Sequence, residues 1–135
     1  MRARQQESAC SEGSGLGQCD VRLGRRLTRG EIWTSASRAD YAGKPRPVVI
    51  IQHRHFATLD SVTICGFTSD PTELPLFRIA IEPSATNRLE FTSHIMVDKV
   101  MTVPKTRLGY RIGQLDNRAI LQLNQALRVF LGLTE

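Results

Sequence analysis

Gly43-Lys44-Pro45-Arg46-Pro47-Val48-Val49-Ile50-Ile51-Gln52 is a basic, proline-braced segment that runs straight into an apolar one. Proline holds φ near about −65° and removes a backbone donor. It also drives the residue before it toward extended geometry, so Pro45 stiffens Lys44 and Pro47 stiffens Arg46. Arg46 therefore sits on extended backbone at the mouth of a strand. The near-continuous apolar run from Pro47 to Gln52 predicts a strand buried on both faces. A guanidinium held this way offers a planar fork of donors, which suits a phosphate or a carboxylate.

Working outward, Glu31 to Ser35 reads as a first strand, with β-prone Ile32 and Trp33. Ser35 to Lys44 is a polar loop carrying Arg38, Asp40 and Tyr41. After the central strand, His53 to Asp60 is a polar connector and Ser61 to Phe67 a third strand. Thr68-Ser69-Asp70-Pro71 breaks it, because Ser and Asp favour local turns and Pro71 blocks continuation. Leu76 to Ile81 predicts a fourth strand, closed by Glu82-Pro83, and Asn87 to Ser93 a loop. His94 to Val103 predicts a fifth strand, with Ile95, Val97 and Met101 on one side and Met96, Asp98 and Val100 on the other. Pro104 ends it, and a short strand follows around Arg111-Ile112-Gly113. Asp116 then reads as a helix N-cap. Ile120, Leu123, Leu127, Phe130 and Leu131 recur at helical steps, Gly132 supplies the stop, and Val129 to Leu133 reads as packing and cap. Short antiparallel strands followed by one amphipathic helix predict a mostly β domain: a small curled sheet or barrel with the helix covering one side.

A chain of 135 residues suffices for one domain, and 41% hydrophobic with 23% charged residues suits an ordinary packed core. No run approaches the roughly 18 apolar residues of a membrane span. The net charge of +5 and pI of about 9.6 permit a polyanionic partner. Aromatic residues make up only 6%, which argues against a broad base-stacking platform. Residues 1–28 are rich in Arg, Ser, Gly and Gln without apolar period, and lack the apolar stretch of a secretory signal. They read as a disordered leader, or as upstream codons included by a misplaced start; Arg22, Arg25 and Arg26 would otherwise make a basic arm. Cys10, Cys19 and Cys65 lack Cys-x-x-Cys spacing and read as thiols of a reducing cytoplasm. His53 and His55, two apart, would begin a metal site only with a third ligand, and none is evident nearby. No metal or cofactor is expected.

Four stretches in register carry a resemblance: Arg29-Gly30-Glu31-Ile32-Trp33, then Gly43 to Ile50, then Phe67-Thr68-Ser69-Asp70-Pro71, and the ending from Leu115-Asp116 through Phe130-Leu131-Gly132-Leu133. Together they resemble the MazF/PemK family of toxin ribonucleases, over residues 29–135. The resemblance implies an SH3-like barrel and sequence-specific, metal-independent cleavage of single-stranded RNA, the activity of an mRNA interferase. In that chemistry the 2′-hydroxyl attacks the adjacent phosphorus and leaves a cyclic phosphate and a 5′-hydroxyl. It further implies a homodimer, and neutralisation by a MazE-like antitoxin whose acidic disordered tail folds onto a basic groove. Arg46 matches the arginine of the family's Arg-Pro motif, and Thr68 the threonine closing its third strand. In the Kid branch an aspartate of the fifth strand is general base and an arginine two residues earlier general acid. Asp98 falls on that aspartate, but Met96 replaces the arginine, so Arg46 would take over the dyad's work. The plain role of Asp98 is an ion pair with Lys99 or Arg111. Arg38, Tyr41 and Lys44 match a loop bordering the RNA groove, and Ser69 and His94 are further candidates for RNA contact. Two other readings stand beside this one: a non-enzymatic gyrase poison of the CcdB type, and a barrel that binds RNA without cutting it.

Overall fold

The computed structural model describes residues 27–36, 45–69 and 78–133. Arg38, Tyr41, Lys44, Asp70, Cys10 and Cys19 lie outside the described residues, as do the basic arm candidates Arg22, Arg25 and Arg26. Six strands form one antiparallel sheet: β1 Glu31–Ser35, β2 Arg46–Ile50, β3 Ser61–Thr68, β4 Arg78–Ile81, β5 Ser93–Pro104 and β6 Leu108–Gln114, followed by helix α1, Asn117–Phe130. Their order across the sheet is β4-β5-β3-β2-β1-β6. Strand β2 takes in Arg46 but stops at Ile50, two residues short of the expected Gln52, and β3 takes in Thr68, one residue beyond the expected Phe67.

Glycine is required where the sheet begins. Gly30 has φ +92°, and a Cβ there would lie 3.0 Å from Ile120 Cδ1. Its N–H donates to the Ile50 carbonyl at 2.8 Å, and its own carbonyl accepts the Leu115 N–H at 2.9 Å. One residue thus ties the start of β1 to the end of β2 and to the junction between β6 and α1. Just before it, Leu27 is buried, and the Thr28 N–H donates to Glu31 Oε1. These two residues, assigned to the leader by composition, belong to the packed unit because Leu27 covers the Trp33 face.

Two apolar clusters lie on opposite sides of the sheet. Under α1 sit Ile32, Val49, Cys65, Phe67, Ile95 and Val97, against Leu115, Ala119, Leu123 and Leu127. On the far side sit Leu27, Trp33, Val48, Ile50, Val62, Ile64, Val103 and Leu108. Val48, Val49 and Ile50 alternate between the two clusters, which is why the central strand reads as an unbroken apolar run. Each fully buried Ile or Leu contributes on the order of 1.5–3 kcal/mol. Burial pushes the Cys65 thiol up to about 12, with nearby Arg29 opposing and Asp98 adding, so this cysteine is a core side chain.

The fifth strand departs from simple alternation. Cys65 pairs with Val100, but two residues on, Phe67 pairs with Ile95. Five residues of β5 therefore match two steps of β3, and this bulge turns the strand over. Ile95 and Val97 face the helix, whereas Met101 lies opposite Ile64 on the far side and is 52% exposed. Val100 packs toward the helix instead of lying with Met96 and Asp98. Sequence alternation assigned Met101 and Val100 to the wrong faces because a bulge leaves no mark in a polarity pattern.

The N-cap is as the sequence predicts: Asp116 Oδ1 accepts the Ala119 N–H at 2.8 Å. Gly132 takes φ +73° at the helix stop. The buried stripe, however, is Ala119, Leu123 and Leu127. Val129, Leu131 and Leu133 are 49, 54 and 73% exposed, so the packing expected at this end is not made within the described chain. Among the described residues no strand pairing closes β4 onto β6. A turn does the latching: the Gln114 N–H donates to the Thr86 carbonyl at 3.1 Å. Asn87 holds that turn, its side-chain oxygen accepting from the Ser84 and Leu89 N–H groups and its amide donating to the Glu82 carbonyl. The expected small curled sheet or barrel is present, left unpaired between β4 and β6 among the described residues and clasped there by a turn.

Candidate active site

The β2–β3 register runs Val48 to Gly66, Val49 to Cys65 and Ile50 to Ile64. Continued two residues toward the open end, it sets Arg46 across from Thr68. Arg46 also pairs with Ser35 of β1, and Thr68 with His94 of β5, which in turn pairs with Ala80 of β4. Directly opposed residues project to the same face. Arg46, Thr68 and His94 therefore stand in one row, on the face away from α1. Arg46 is exposed and Thr68 and His94 are half-buried, and both Arg46 and Thr68 engage further groups. The flanking prolines keep Arg46 extended at this rim. The Nδ1 of His94 is buried without a hydrogen-bond partner. Ser69, next in the chain, is exposed at the end of the row.

One step along the sheet lies a second row. Met96 is opposite Arg78 of β4, and a Cβ on Gly66 would come 3.0 Å from the Met96 Cε. Arg78 Nη1 lies 3.3 Å from Asp98 Oδ1, and Lys99 Nζ lies 3.7 Å from Asp98 Oδ2. The expected Lys99 pair is present. The alternative Arg111 is not at Asp98: its Nε lies 3.3 Å from Glu31 Oε2. The arginine missing at Met96 is matched by one directly across the strand, on β4. Only the pairing of β4 with β5, a long-range fact, brings Arg78 there. Its buried Nη1 and Nε, and Asp98 Oδ1, lack well-aligned hydrogen bonds.

Glu31 is the acid that sequence reasoning left without a role. Its Oε1 accepts the Trp33 indole N–H at 3.1 Å and the Thr28 N–H at 3.2 Å, while Oε2 meets Arg111. It is a buried structural carboxylate behind the row. His53 and His55 sit at a single 3-10 turn, Arg54–Phe56, and not on a strand; their rings stack at 4.7 Å and His53 Nδ1 accepts the His55 N–H. Among the described residues no group of three His, Cys, Asp or Glu gathers.

A cation, a hydroxyl and an imidazole in one row suit a phosphodiester. The guanidinium answers charge developing on phosphoryl oxygens, the hydroxyl donates or accepts as needed, and the imidazole can carry a proton.

Comparison with known proteins gives the chain its place. Residues 28–131 match the family described as PemK-like, MazF-like toxin of type II toxin-antitoxin system. A probable endoribonuclease MazF of Mycolicibacterium smegmatis is 46% identical over 107 residues, covering 79% of this chain and 98% of that protein. Among solved structures, an endoribonuclease in complex with its cognate antitoxin from a mycobacterial species superposes with a TM-score of 0.68 at 23% identity, over 81% of this chain and 98% of that one. The Mycobacterium tuberculosis toxin MazF-mt6 superposes with a TM-score of 0.66 at 24% identity, over 78% and 99% of the two chains. The two structural likenesses are of fold. The chain belongs to the PemK-like, MazF-like family of toxins from type II toxin–antitoxin systems.

Proposed function

We propose that this chain is an endoribonuclease toxin that cuts single-stranded RNA at the row containing Arg46 and Thr68. The observation that carries the reading is the register that opposes these two residues on the exposed rim of a sheet, in a chain 46% identical to a probable endoribonuclease. The 2′-hydroxyl attacks the neighbouring phosphorus, the bond to the 5′ oxygen breaks, and a cyclic phosphate and a 5′-hydroxyl result. The nucleophile belongs to the substrate, so the chemistry calls for no metal. Arg46 stabilises the equatorial oxygens as charge builds; a guanidinium has donors only and no lone pair to take a proton. Thr68 orients the 2′-hydroxyl or the phosphate. Asp98, held by Arg78 and Lys99, flanks the site as a charged anchor. Arg38, Tyr41, Lys44 and Ser69 contact the RNA strand, and unpaired bases supply the sequence read there.

The toxin unit, read as residues 29–135 in the sequence, takes in Leu27 and Thr28 as well and works in the cytoplasm. Among the described residues no helix is long and apolar enough to cross a membrane. The exposed apolar end of α1, Val129 to Leu133, buries against a second copy to give a homodimer. One structural relative is an endoribonuclease with its cognate antitoxin; here the antitoxin is MazE-like and lays an acidic, disordered tail on the same basic row.

The test is incubation of the full chain with several long single-stranded transcripts in EDTA, with fragment ends mapped. Wild type yields discrete cuts bearing 5′-hydroxyl ends. Arg46→Ala lowers the rate by at least about 100-fold, as loss of a main charge stabiliser does. Intact RNA from every transcript, or cutting by Arg46→Ala at the wild-type rate, sinks the reading.

A further inference from the structure

Cleavage by a 2′-hydroxyl needs a group to take that hydroxyl's proton, and neither Arg46 nor Thr68 is a base near neutral pH. His94 lies on the other side of Thr68 from Arg46, one strand away, where Arg46 lies one strand the opposite way. Adjacent strands are about 4.8 Å apart, so a phosphate over Thr68 has a cation on one side and an imidazole on the other. In-line displacement has this demand: attacking and leaving oxygens lie on opposite sides of the phosphorus. A histidine's ordinary charge change falls between pH 5 and 8, in the range where a general base works well. The ring is also unusually placed for a structural residue. Its Nδ1 is buried with no hydrogen-bond partner, although buried ring nitrogens are ordinarily satisfied.

We propose that His94 is the general base of RNA cleavage, acting across Thr68 from Arg46. This rests on the ribonuclease reading above. His94 takes the 2′-hydroxyl proton as the bond from the 2′ oxygen to phosphorus forms. The bond from phosphorus to the 5′ oxygen breaks; that oxygen, held by Arg46, takes a proton from water, and the imidazolium returns its proton to solvent. The charged and titratable groups around the ring are Arg46 on β2, Arg78 on β4, Glu82 just beyond β4, and Asp98 on β5 itself. On β3 the facing residues are Thr68 and Gly66, which do not titrate in this range.

The experiment measures single-turnover cleavage from pH 5 to 9 by wild type, His94→Gln and His94→Ala, with melting curves for all three. A second substrate carries sulfur in place of the bridging 5′ oxygen, so that its leaving group needs no acid. The expected result is a rate about 100- to 1,000-fold lower in both variants. The fall in rate toward acid pH, present in wild type, is lost in His94→Gln, and added imidazole restores part of the His94→Ala rate. The deficit persists on the sulfur substrate. Wild-type rate and pH profile in a folded His94→Gln overturn the proposal and leave the ribonuclease reading standing. A deficit erased by the sulfur substrate overturns the base assignment in the same way. RNA left intact by wild type overturns both.

Discussion

The β1–β6 seam and the seams of β5 treat their acids and arginines in opposite ways. At the β1–β6 seam, Glu31 accepts from the Trp33 indole, the Thr28 backbone and the Arg111 guanidinium. Gly113, across from Ile32, lets the 86–87 backbone press directly on the strand. At the seams of β5, a bulge breaks the register with β3, Arg78 of β4 and Asp98 meet at 3.3 Å without alignment, and His94 keeps a bare Nδ1. Polar groups that are fully satisfied build a structure. Buried groups left unsatisfied cost stability and call for another reason to be kept. On the function proposed above, stability lies at one seam and chemistry at the other, and variants at each should separate the two.

The largest expected effect on stability is at Glu31. Truncation to Ala removes the acceptor of a buried indole N–H and strands the Arg111 charge. Arg111 is about a third exposed, which limits the electrostatic share. Glu31→Ala should lower unfolding free energy by about 3 kcal/mol, within the range for breaking a buried, hydrogen-bonded carboxylate. Urea unfolding followed by tryptophan fluorescence reports it directly, since Trp33 is the single Trp and fully buried. A loss under about 1 kcal/mol would remove the distinction between the seams.

The next effect compares two glycines. A Cβ at Gly113 would lie 2.5 Å from both the Thr86 and Asn87 carbonyl oxygens, which are backbone atoms fixed in the clasping turn. Gly113→Ala should cost about 2–3 kcal/mol and loosen the turn. A Cβ at Gly66 would meet only the Met96 Cε at 3.0 Å, the end of a flexible side chain that can rotate away. Gly66→Ala should change stability by less than about 1 kcal/mol. Equal costs at the two positions, read from thermal melts, would show the backbone at Gly66 to be as tightly held as the clasped seam.

This asymmetry also separates what could be read from the chain. Periodicity placed β1, the run of β2, the cap at Asp116 and the stop at Gly132, because each depends on neighbours a few residues away. The prolines around Arg46 marked a rigid rim for the same reason. What escaped depends on distant strands. Arg78 reaches Asp98 only because β4 pairs with β5, and the β5 bulge flips Met101 and Val100 without changing the polarity pattern. Lys105, for which the sequence offered no role, is buried and its ammonium donates to the Ala57 carbonyl; burial lowers its pKa, with Asp60 opposing. The row of Arg46, Thr68 and His94 needs three strands in register, so sequence could nominate its members but not their order.

The smallest expected effect on stability gives the sharpest contrast. Arg78 and Asp98 are largely buried, at 12 and 18% side-chain exposure, yet Arg78 Nη1 and Asp98 Oδ1 make no aligned hydrogen bond. Desolvation of two such charges consumes most of their attraction. Replacing both by apolar side chains of similar size, Arg78→Met with Asp98→Leu, should leave stability within about 1 kcal/mol of wild type. Asp98→Leu alone leaves the Arg78 charge largely without its acid and should cost about 2–3 kcal/mol. The matching pair of changes at the other seam, Glu31→Leu with Arg111→Met, has no such compensation, because Trp33 and Thr28 still lose their acceptor. It should cost at least about 2 kcal/mol. If the Arg78/Asp98 double variant is destabilised as much as the Glu31/Arg111 one, both seams are structural. If it is as stable as wild type and cuts RNA more slowly, the unaligned pair is kept for the site.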